Sequence, residues 1–132
     1  TGGLIGAAIT AVGGSSETFR GGVIAYSNHV KQQLLNVPPE LLERRGAVSA
    51  EVVAAMARGV KQLLDTDCAI AVSGIAGPGG GTPAKPVGLV YVGIAGPRTT
   101  QSYEYRFSGN REEIRRRAVT EGLRRLGEMV GV

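Results

Sequence analysis

The chain has 132 residues, of which 42% are hydrophobic, and its 15 lysines and arginines outnumber its 11 acidic residues. This length suits one globular domain that buries a core of its own. The apolar runs are far shorter than the roughly 20 residues of a membrane-spanning helix, so we expect no membrane partner. One histidine and one cysteine exclude an internal disulfide and any zinc site built from several such ligands.

The first half of the chain predicts helices around one strand. Residues 4–12 are apolar and alanine-rich and precede a glycine pair, which is typical of a buried helix that leads into a loop. The β-rich run 22–26 predicts a strand, and Ser27 then provides the N-cap of a second helix. Two prolines break this helix and open a short helical turn from Glu40 to Arg45.

The middle of the chain predicts a long helix, a strand and an irregular loop. Ser49 provides the N-cap of the helix, and apolar residues recur at helical spacing as far as Leu64. Residues 68–72 form a continuous apolar run, which favours a central strand covered on both faces and a buried thiol at Cys68. Residues 73–83 contain five glycines and two prolines, so we expect no regular structure there.

The last third of the chain predicts a hairpin followed by a long helix. Residues 87–95 and 100–107 flank a Gly-Pro turn and have the composition of two antiparallel strands. Asn110 then caps a helix, and Glu113 is placed to complete a capping box. Strands between helices, together with one hairpin, favour a single α/β domain with three α/β/α layers and a mixed sheet.

Few side chains qualify as a general base. The one histidine, His29, lies in the first turn of a helix, where we expect it to be exposed. Lys31 is the best-placed candidate because it follows a predicted strand end, where open α/β sheets bind their ligands. A lysine acts as a base near neutral pH only if burial or nearby positive charge lowers its pKa. Ser16, in a loop, and Ser27 are rival nucleophiles, and spacing does not decide between them.

Two further features are suited to anions. The glycine-rich loop after Ser73 offers backbone N–H groups to a phosphate or an oxyanion, but it lacks a Walker lysine and the dinucleotide-fingerprint spacing. The last helix carries clustered arginines, which interleaved glutamates dilute, and the chain has only four tyrosines and two phenylalanines for base stacking. We therefore expect a solvated helix face there and no nucleic-acid partner.

Several blocks of sequence gain meaning when they are taken together. They are Thr1-Gly2-Gly3, Gly14-Ser15-Ser16, Arg20-Gly21-Gly22-Val23-Ile24-Ala25-Tyr26-Ser27-Asn28 with Lys31, Gly46-Ala47-Val48-Ser49, Ser73-Gly74-Ile75-Ala76-Gly77-Pro78-Gly79-Gly80-Gly81 and Lys85-Pro86-Val87-Gly88. In this order and spacing they strongly resemble the CinA C-terminal domain family over nearly the whole chain. The combination is far more specific than any single block.

The resemblance implies a nicotinamide-nucleotide amidohydrolase, which converts nicotinamide mononucleotide and water into nicotinate mononucleotide and ammonia without a metal or another cofactor. It implies that Ser16 is the nucleophile, that Lys31 takes its proton and that Tyr26 supports the pair with its hydroxyl. The implied substrate-binding residues are Ser73, Gly74, Gly77 and Arg111. Arg111 would approach the substrate phosphate from a helix N-terminus, and Ser73 stands where relatives carry threonine.

The resemblance also implies a homodimer in the cytoplasm, with nicotinamide mononucleotide as its small-molecule partner. Family members place Ala-Glu-Ser-Cys, a helix and a strand before the Thr-Gly-Gly block, and that strand is expected near the middle of the sheet. Because this chain starts at Thr1, we expect an N-terminally truncated domain. The alternative function is a non-catalytic nucleotide-binding or assembly module linked to competence and the response to DNA damage.

Overall fold

The computed structural model describes residues 1–131, so residue 132 of the predicted domain lies outside the described part. A single 3₁₀ turn spans Ser15–Glu17. The other elements are α1 (Leu4–Thr10), α2 (Asn28–Leu35), α3 (Pro39–Arg45), α4 (Ala50–Leu64), β1 (Ala69–Gly74), β2 (Leu89–Ala95), β3 (Thr100–Arg106) and α5 (Arg111–Val130).

The sheet has the order β1-β2-β3, and both of its strand pairs are antiparallel. The predicted hairpin is confirmed as β2 and β3, with Leu89 opposite Arg106 and Ala95 opposite Thr100. The predicted mixed sheet is wrong for residues 1–131, because both strand pairs described there are antiparallel and the predicted strand at 22–26 pairs with no other strand.

Residues 22–26 nevertheless keep the alternation of a strand. Val23 and Ala25 pack against the core, while Ile24 and Tyr26 are 62% and 81% exposed. Alternation of apolar and exposed residues indicates which side chains are buried, but the hydrogen-bond ladder of a sheet also requires a neighbouring strand. β1 was also predicted to be central, yet it lies at an edge of the three-stranded sheet, and β2 is the central strand.

Helices cover both faces of this sheet, so the predicted three-layer α/β arrangement is confirmed. α4 packs on one face and contacts all three strands, and α2 and α3 pack in turn on α4. α5 packs on the other face of β1 and β2, with α1 beside it. The two faces of β2 separate these layers, since Val92 and Ile94 join the cluster around Ile114 whereas Ala95 joins the cluster around Val53.

Local sequence signals set the helix boundaries as expected. The hydroxyls of Ser27 and Ser49 accept hydrogen bonds from backbone N–H groups at the starts of α2 and α4. The capping box of Asn110 and Glu113 opens α5 with both reciprocal bonds in place. None of the helices within residues 1–131 is long and apolar enough to cross a membrane.

Two predictions of burial are wrong. α1 was expected to be a buried helix, but none of its residues is fully buried, because within residues 1–131 it packs mainly on α5 and on the 3₁₀ turn that follows it. Cys68 was expected in the core, but it is only half-buried, because it lies just outside β1 at the end of the sheet.

Candidate functional site

Lys31 is the one charged side chain buried within residues 1–131, with only 5% of its surface exposed. The Ser27 cap starts α2 and so places Lys31 one turn into the helix. Its Nζ donates hydrogen bonds to the carbonyl oxygens of Ala25, at 2.9 Å, and of Tyr26, at 3.4 Å. Burial lowers the pKa of the Lys31 amine, because removal from water disfavours the charged form.

Ser16 lies in the 3₁₀ turn after α1, and its side chain is exposed. Gly14, in the left-handed region with φ of 84°, leads the chain into this turn. Among residues 1–131, no hydrogen bond joins the Ser16 hydroxyl to the Lys31 amine. The rival, Ser27, is accounted for as the cap of α2, since its Oγ accepts from the Val30 N–H at 3.2 Å.

Tyr26 contacts Lys31 through its backbone carbonyl. Its side chain is 81% exposed, and within the described residues its hydroxyl forms no hydrogen bond with Ser16 or Lys31. His29, which lies on α2 with Lys31, is exposed as expected. The Lys31 amine therefore meets Tyr26 only at its backbone carbonyl. The predicted role of the Tyr26 hydroxyl in supporting Ser16 and Lys31 stays a prediction.

Ser73 and Gly74 end β1 beside the glycine-rich loop, and Ser73 is half-buried. A Cβ on Gly74 would lie 2.7 Å from Val90 Cγ2, so this glycine permits close packing against β2. Gly77 has φ of 77°, and a Cβ there would lie 2.6 Å from Val87 Cγ1. Packing alone thus accounts for glycine at both positions, whether or not their N–H groups also meet a ligand.

The N-terminal end of α5 adds two arginines beside this loop. Arg111 Nη1 donates to the Gly77 carbonyl at 2.9 Å, and Arg115 Nη2 donates to the Thr1 carbonyl at 2.9 Å. The start of a helix carries partial positive charge, which reinforces both guanidinium groups. Arg115 was not among the predicted site residues, although its position four residues after Arg111 places both on one helix face.

Lys31, Arg111 and Arg115, which we call the cationic group, all lie close enough to Thr1 for their positive charges to act on it. No carboxylate within residues 1–131 forms a salt bridge with any of the three. The region therefore carries uncompensated positive charge, which favours an anionic ligand.

Of two depressions on the surface of residues 1–131, only one is lined by predicted site residues or by the cationic group. A small cavity of about 40 Å³ lies beside the cationic group. Its lining comprises Thr1, Val72, Gly74, Ala76, Val90, Ile114, Arg115 and Ala118. A larger groove of about 400 Å³ lies at the other end of the sheet, between the end of α4 and the β2–β3 turn, and none of the predicted site residues lines it. We place the candidate site at the smaller cavity, because Gly74 and Arg115 line it, together with Thr1, on which the charges of Lys31 and Arg111 also act.

Within residues 1–131, no three His, Cys, Asp or Glu side chains lie close enough together to hold a metal ion. The chemical groups that the site does offer are hydroxyls, one buried amine, two guanidinium groups and backbone N–H groups. Such a set can bind a phosphate and activate a nucleophile by proton transfer.

Comparisons with known proteins agree with this architecture. A CinA-like protein of Parasynechococcus marenigrum is 66% identical over 111 residues, which is 84% of this chain and 26% of that relative. A CinA-like protein of Geotalea uraniireducens is 54% identical over 87% of this chain and 27% of its own length. The chain thus spans about a quarter of the length of these relatives.

Solved structures show the same fold. The competence/damage inducible protein CihA of Agrobacterium tumefaciens matches with a TM-score of 0.95 and 38% identity, covering 97% of this chain and 79% of that one. The competence damage-inducible protein A of Klebsiella pneumoniae matches with a TM-score of 0.94 and 34% identity, covering 98% of this chain and 81% of that one. The family model described as the CinA C-terminal domain matches residues 1–130, and this chain therefore belongs to the CinA C-terminal domain family.

Proposed function

We propose that the domain hydrolyses the carboxamide of nicotinamide mononucleotide, giving nicotinate mononucleotide and ammonia. The observation that carries this proposal is a lysine amine that is buried without a carboxylate partner and whose pKa burial lowers. Arg111 and Arg115, which form no salt bridge within residues 1–131, add positive charge to the same region, suited to a substrate that bears a phosphate.

In the proposed reaction, the neutral Lys31 amine takes the hydroxyl proton as Ser16 Oγ bonds to the carboxamide carbon. The carbonyl oxygen becomes an oxyanion, which hydrogen-bond donors of the site stabilise. The C–N bond then breaks, and the protonated lysine returns its proton to the departing ammonia. Water hydrolyses the resulting ester, releasing the nicotinate product and restoring the Ser16 hydroxyl.

One rearrangement is required for this reaction. Lys31 Nζ donates to two backbone carbonyls, and the Ser16 hydroxyl is exposed without a bond to it, so the two groups must meet when the substrate binds. Catalytic hydrogen bonds often tighten only in the substrate complex. The same observation favours the second candidate, a nucleotide-binding module that has no turnover.

The deciding experiment measures ammonia release from nicotinamide mononucleotide. It uses this chain, the same chain preceded by the family's N-terminal strand, and Ser16→Ala and Lys31→Met in whichever form is active. Turnover that both substitutions abolish, and that a chelator leaves unchanged, supports the hydrolase. A folded protein that binds the nucleotide without releasing ammonia overturns it in favour of the binding module. Homodimer formation and a cytoplasmic location stay predictions, and light scattering on the same samples tests the former.

A further inference from the structure

Lys85 lies just after the glycine-rich stretch 73–83, in the same β1–β2 connection, which we call the loop, and has no role in the proposed chemistry. It is half-buried, whereas residues 78–84 before it are all exposed. Its Nζ donates a hydrogen bond of 2.5 Å to the carbonyl oxygen of Arg45, 40 residues earlier in the chain. This contact joins the loop to the C-terminal end of α3.

The carbonyl oxygen of Arg45 is a favourable acceptor for a positively charged donor. Arg45 is the last residue of α3, and the carbonyl groups at a helix C-terminus carry partial negative charge and lack partners within the helix. Gly46 follows with φ of 76°, and a Cβ there would lie 2.9 Å from Lys85 Nζ. The glycine therefore leaves the space that the lysine amine occupies.

Lys85 is also tied to the loop on its own side. Its backbone N–H donates to Thr82 Oγ1 at 3.0 Å, and its carbonyl accepts from the Thr82 N–H at 2.9 Å. Two residues later, the side chain of Val87 lies against Gly77 and Gly81, where a Cβ would approach it to within 2.6 Å and 2.9 Å. The leg of the loop that carries Lys85 thus packs directly on the leg that carries Gly77.

Gly77 is held from the opposite direction by Arg111, whose Nη1 donates to its carbonyl at 2.9 Å. Two cations from different parts of the fold therefore fix the loop, one at each leg. We propose that Lys85 is a positioning residue, which holds residues 74–77 in place for the phosphate of the substrate through its bond to the end of α3. This inference rests on the proposed function, because it assigns the loop to substrate binding.

The test compares Lys85→Met with Lys85→Arg, and Lys61→Met serves as the control because no hydrogen bond or salt bridge of the Lys61 side chain occurs within residues 1–131. Loss of one charged hydrogen bond predicts a roughly tenfold rise in KM for nicotinamide mononucleotide in Lys85→Met, with kcat within about twofold. Hydrogen exchange of the amides at 76–84 should accelerate, and Lys85→Arg should restore both properties. A purely structural role would lower thermal stability without a change specific to KM or to these amides.

The inference is overturned if Lys85→Met leaves both KM and loop exchange as in the unmodified chain, or if Lys61→Met changes them equally. If the unmodified chain shows no turnover, the proposed function fails, but the inference is still tested. Binding of nicotinamide mononucleotide, measured by calorimetry, should then weaken by about the same factor in Lys85→Met. Unchanged binding, together with unchanged exchange, would reject the positioning role by itself.

Discussion

The molecule has two regions that are built in different ways. In the first, which we call the packed half and which comprises α4 and the faces of the sheet and of α2 that contact it, α4 lies so close to its neighbours that glycine is required at the contacts. A Cβ on Gly93 would lie 2.4 Å from the Val53 carbonyl oxygen, and one on Gly59 would lie 1.9 Å from the Leu35 carbonyl oxygen. Apolar side chains and close backbone approach dominate there, and the buried Ser49 hydroxyl is bonded to the backbone as the cap of α4.

The second region, the site end, comprises the cationic group, residues 73–77, α1 and residues 22–26. Its helix α1 has no fully buried residue, and residues 22–26 lack a strand partner within the described chain. It buries a lysine amine without a carboxylate, which opposes folding whenever that amine is charged. The comparison indicates that close packing in the packed half stabilises the folded state. That stabilisation offsets the unfavourable free energy of burying charged and reactive groups at the site end.

The largest expected effect is on activity, from Lys31→Met. Removing the base that activates the nucleophile should lower kcat by about 10³-fold. The thioether side chain also fills the buried space, so the urea midpoint should change far less than the rate. Lys61→Met, on α4, should leave kcat unchanged. A Lys31→Met enzyme of near-normal rate would remove Lys31 from the mechanism.

The pH dependence of Lys31 sharpens this test. The base acts only when neutral, so kcat/KM should rise with pH and level off above a pKa below the ordinary lysine value of about 10.4. Stability should follow the same direction. Because burial lowers the folded-state pKa, the unfolded chain binds more protons between the two pKa values, and the free energy of unfolding rises with pH in that interval. Lys31→Met should flatten both dependences.

The next effect is on stability, from Gly59→Ala in α4. Helix propensity alone predicts stabilisation of about 1 kcal/mol. The clash with the Leu35 carbonyl should outweigh it and lower the free energy of unfolding by about 3 kcal/mol, measured by urea denaturation. Gly13→Ala is the matched control, because a Cβ there meets nothing within 4 Å. A stabilised Gly59→Ala variant would show that α2 and α4 pack less closely than described.

A smaller effect is expected on KM when an arginine of the site end is replaced. Arg115→Gln removes one unpaired positive charge from the cationic group, so KM for nicotinamide mononucleotide should rise about tenfold in the steady-state rate assay. The free energy of unfolding should change little, because the guanidinium contributes one bond to the Thr1 carbonyl. An unchanged KM would mean that Arg115 does not meet the substrate phosphate.

Much of the packed half was predictable from the sequence because its signals are local. The Ser49 cap, the apolar spacing of α4 and the hairpin that follows each depend on residues close together in the chain. The strand order was not predictable in this way. Residues 22–26 carry a strand pattern, but pairing depends on which other segment lies beside them, and no local signal encodes that.

The site end was predictable only in part. Lys31 was identified by its place after a predicted strand end, and the structure adds its burial. The bond between Lys85 and Arg45 joins residues 40 apart, so no spacing rule indicates it. Arg115 was missed as a site residue because the arginines of α5 look alike in sequence. Only the fold distinguishes those that face the cavity from those that face water.

The smallest expected effect is that of Arg116→Gln, one residue from Arg115 on the outer face of α5. Arg116 forms an exposed i,i+4 pair with Glu112 at 2.7 Å, and such pairs contribute only about 0.2–0.5 kcal/mol. The free energy of unfolding should fall by no more than this, and the difference should disappear in about 1 M salt, where charges are screened beyond about 3 Å. KM should stay unchanged. A KM increase equal to that of Arg115→Gln would show that net positive charge, and not the placement of the cationic group, attracts the substrate.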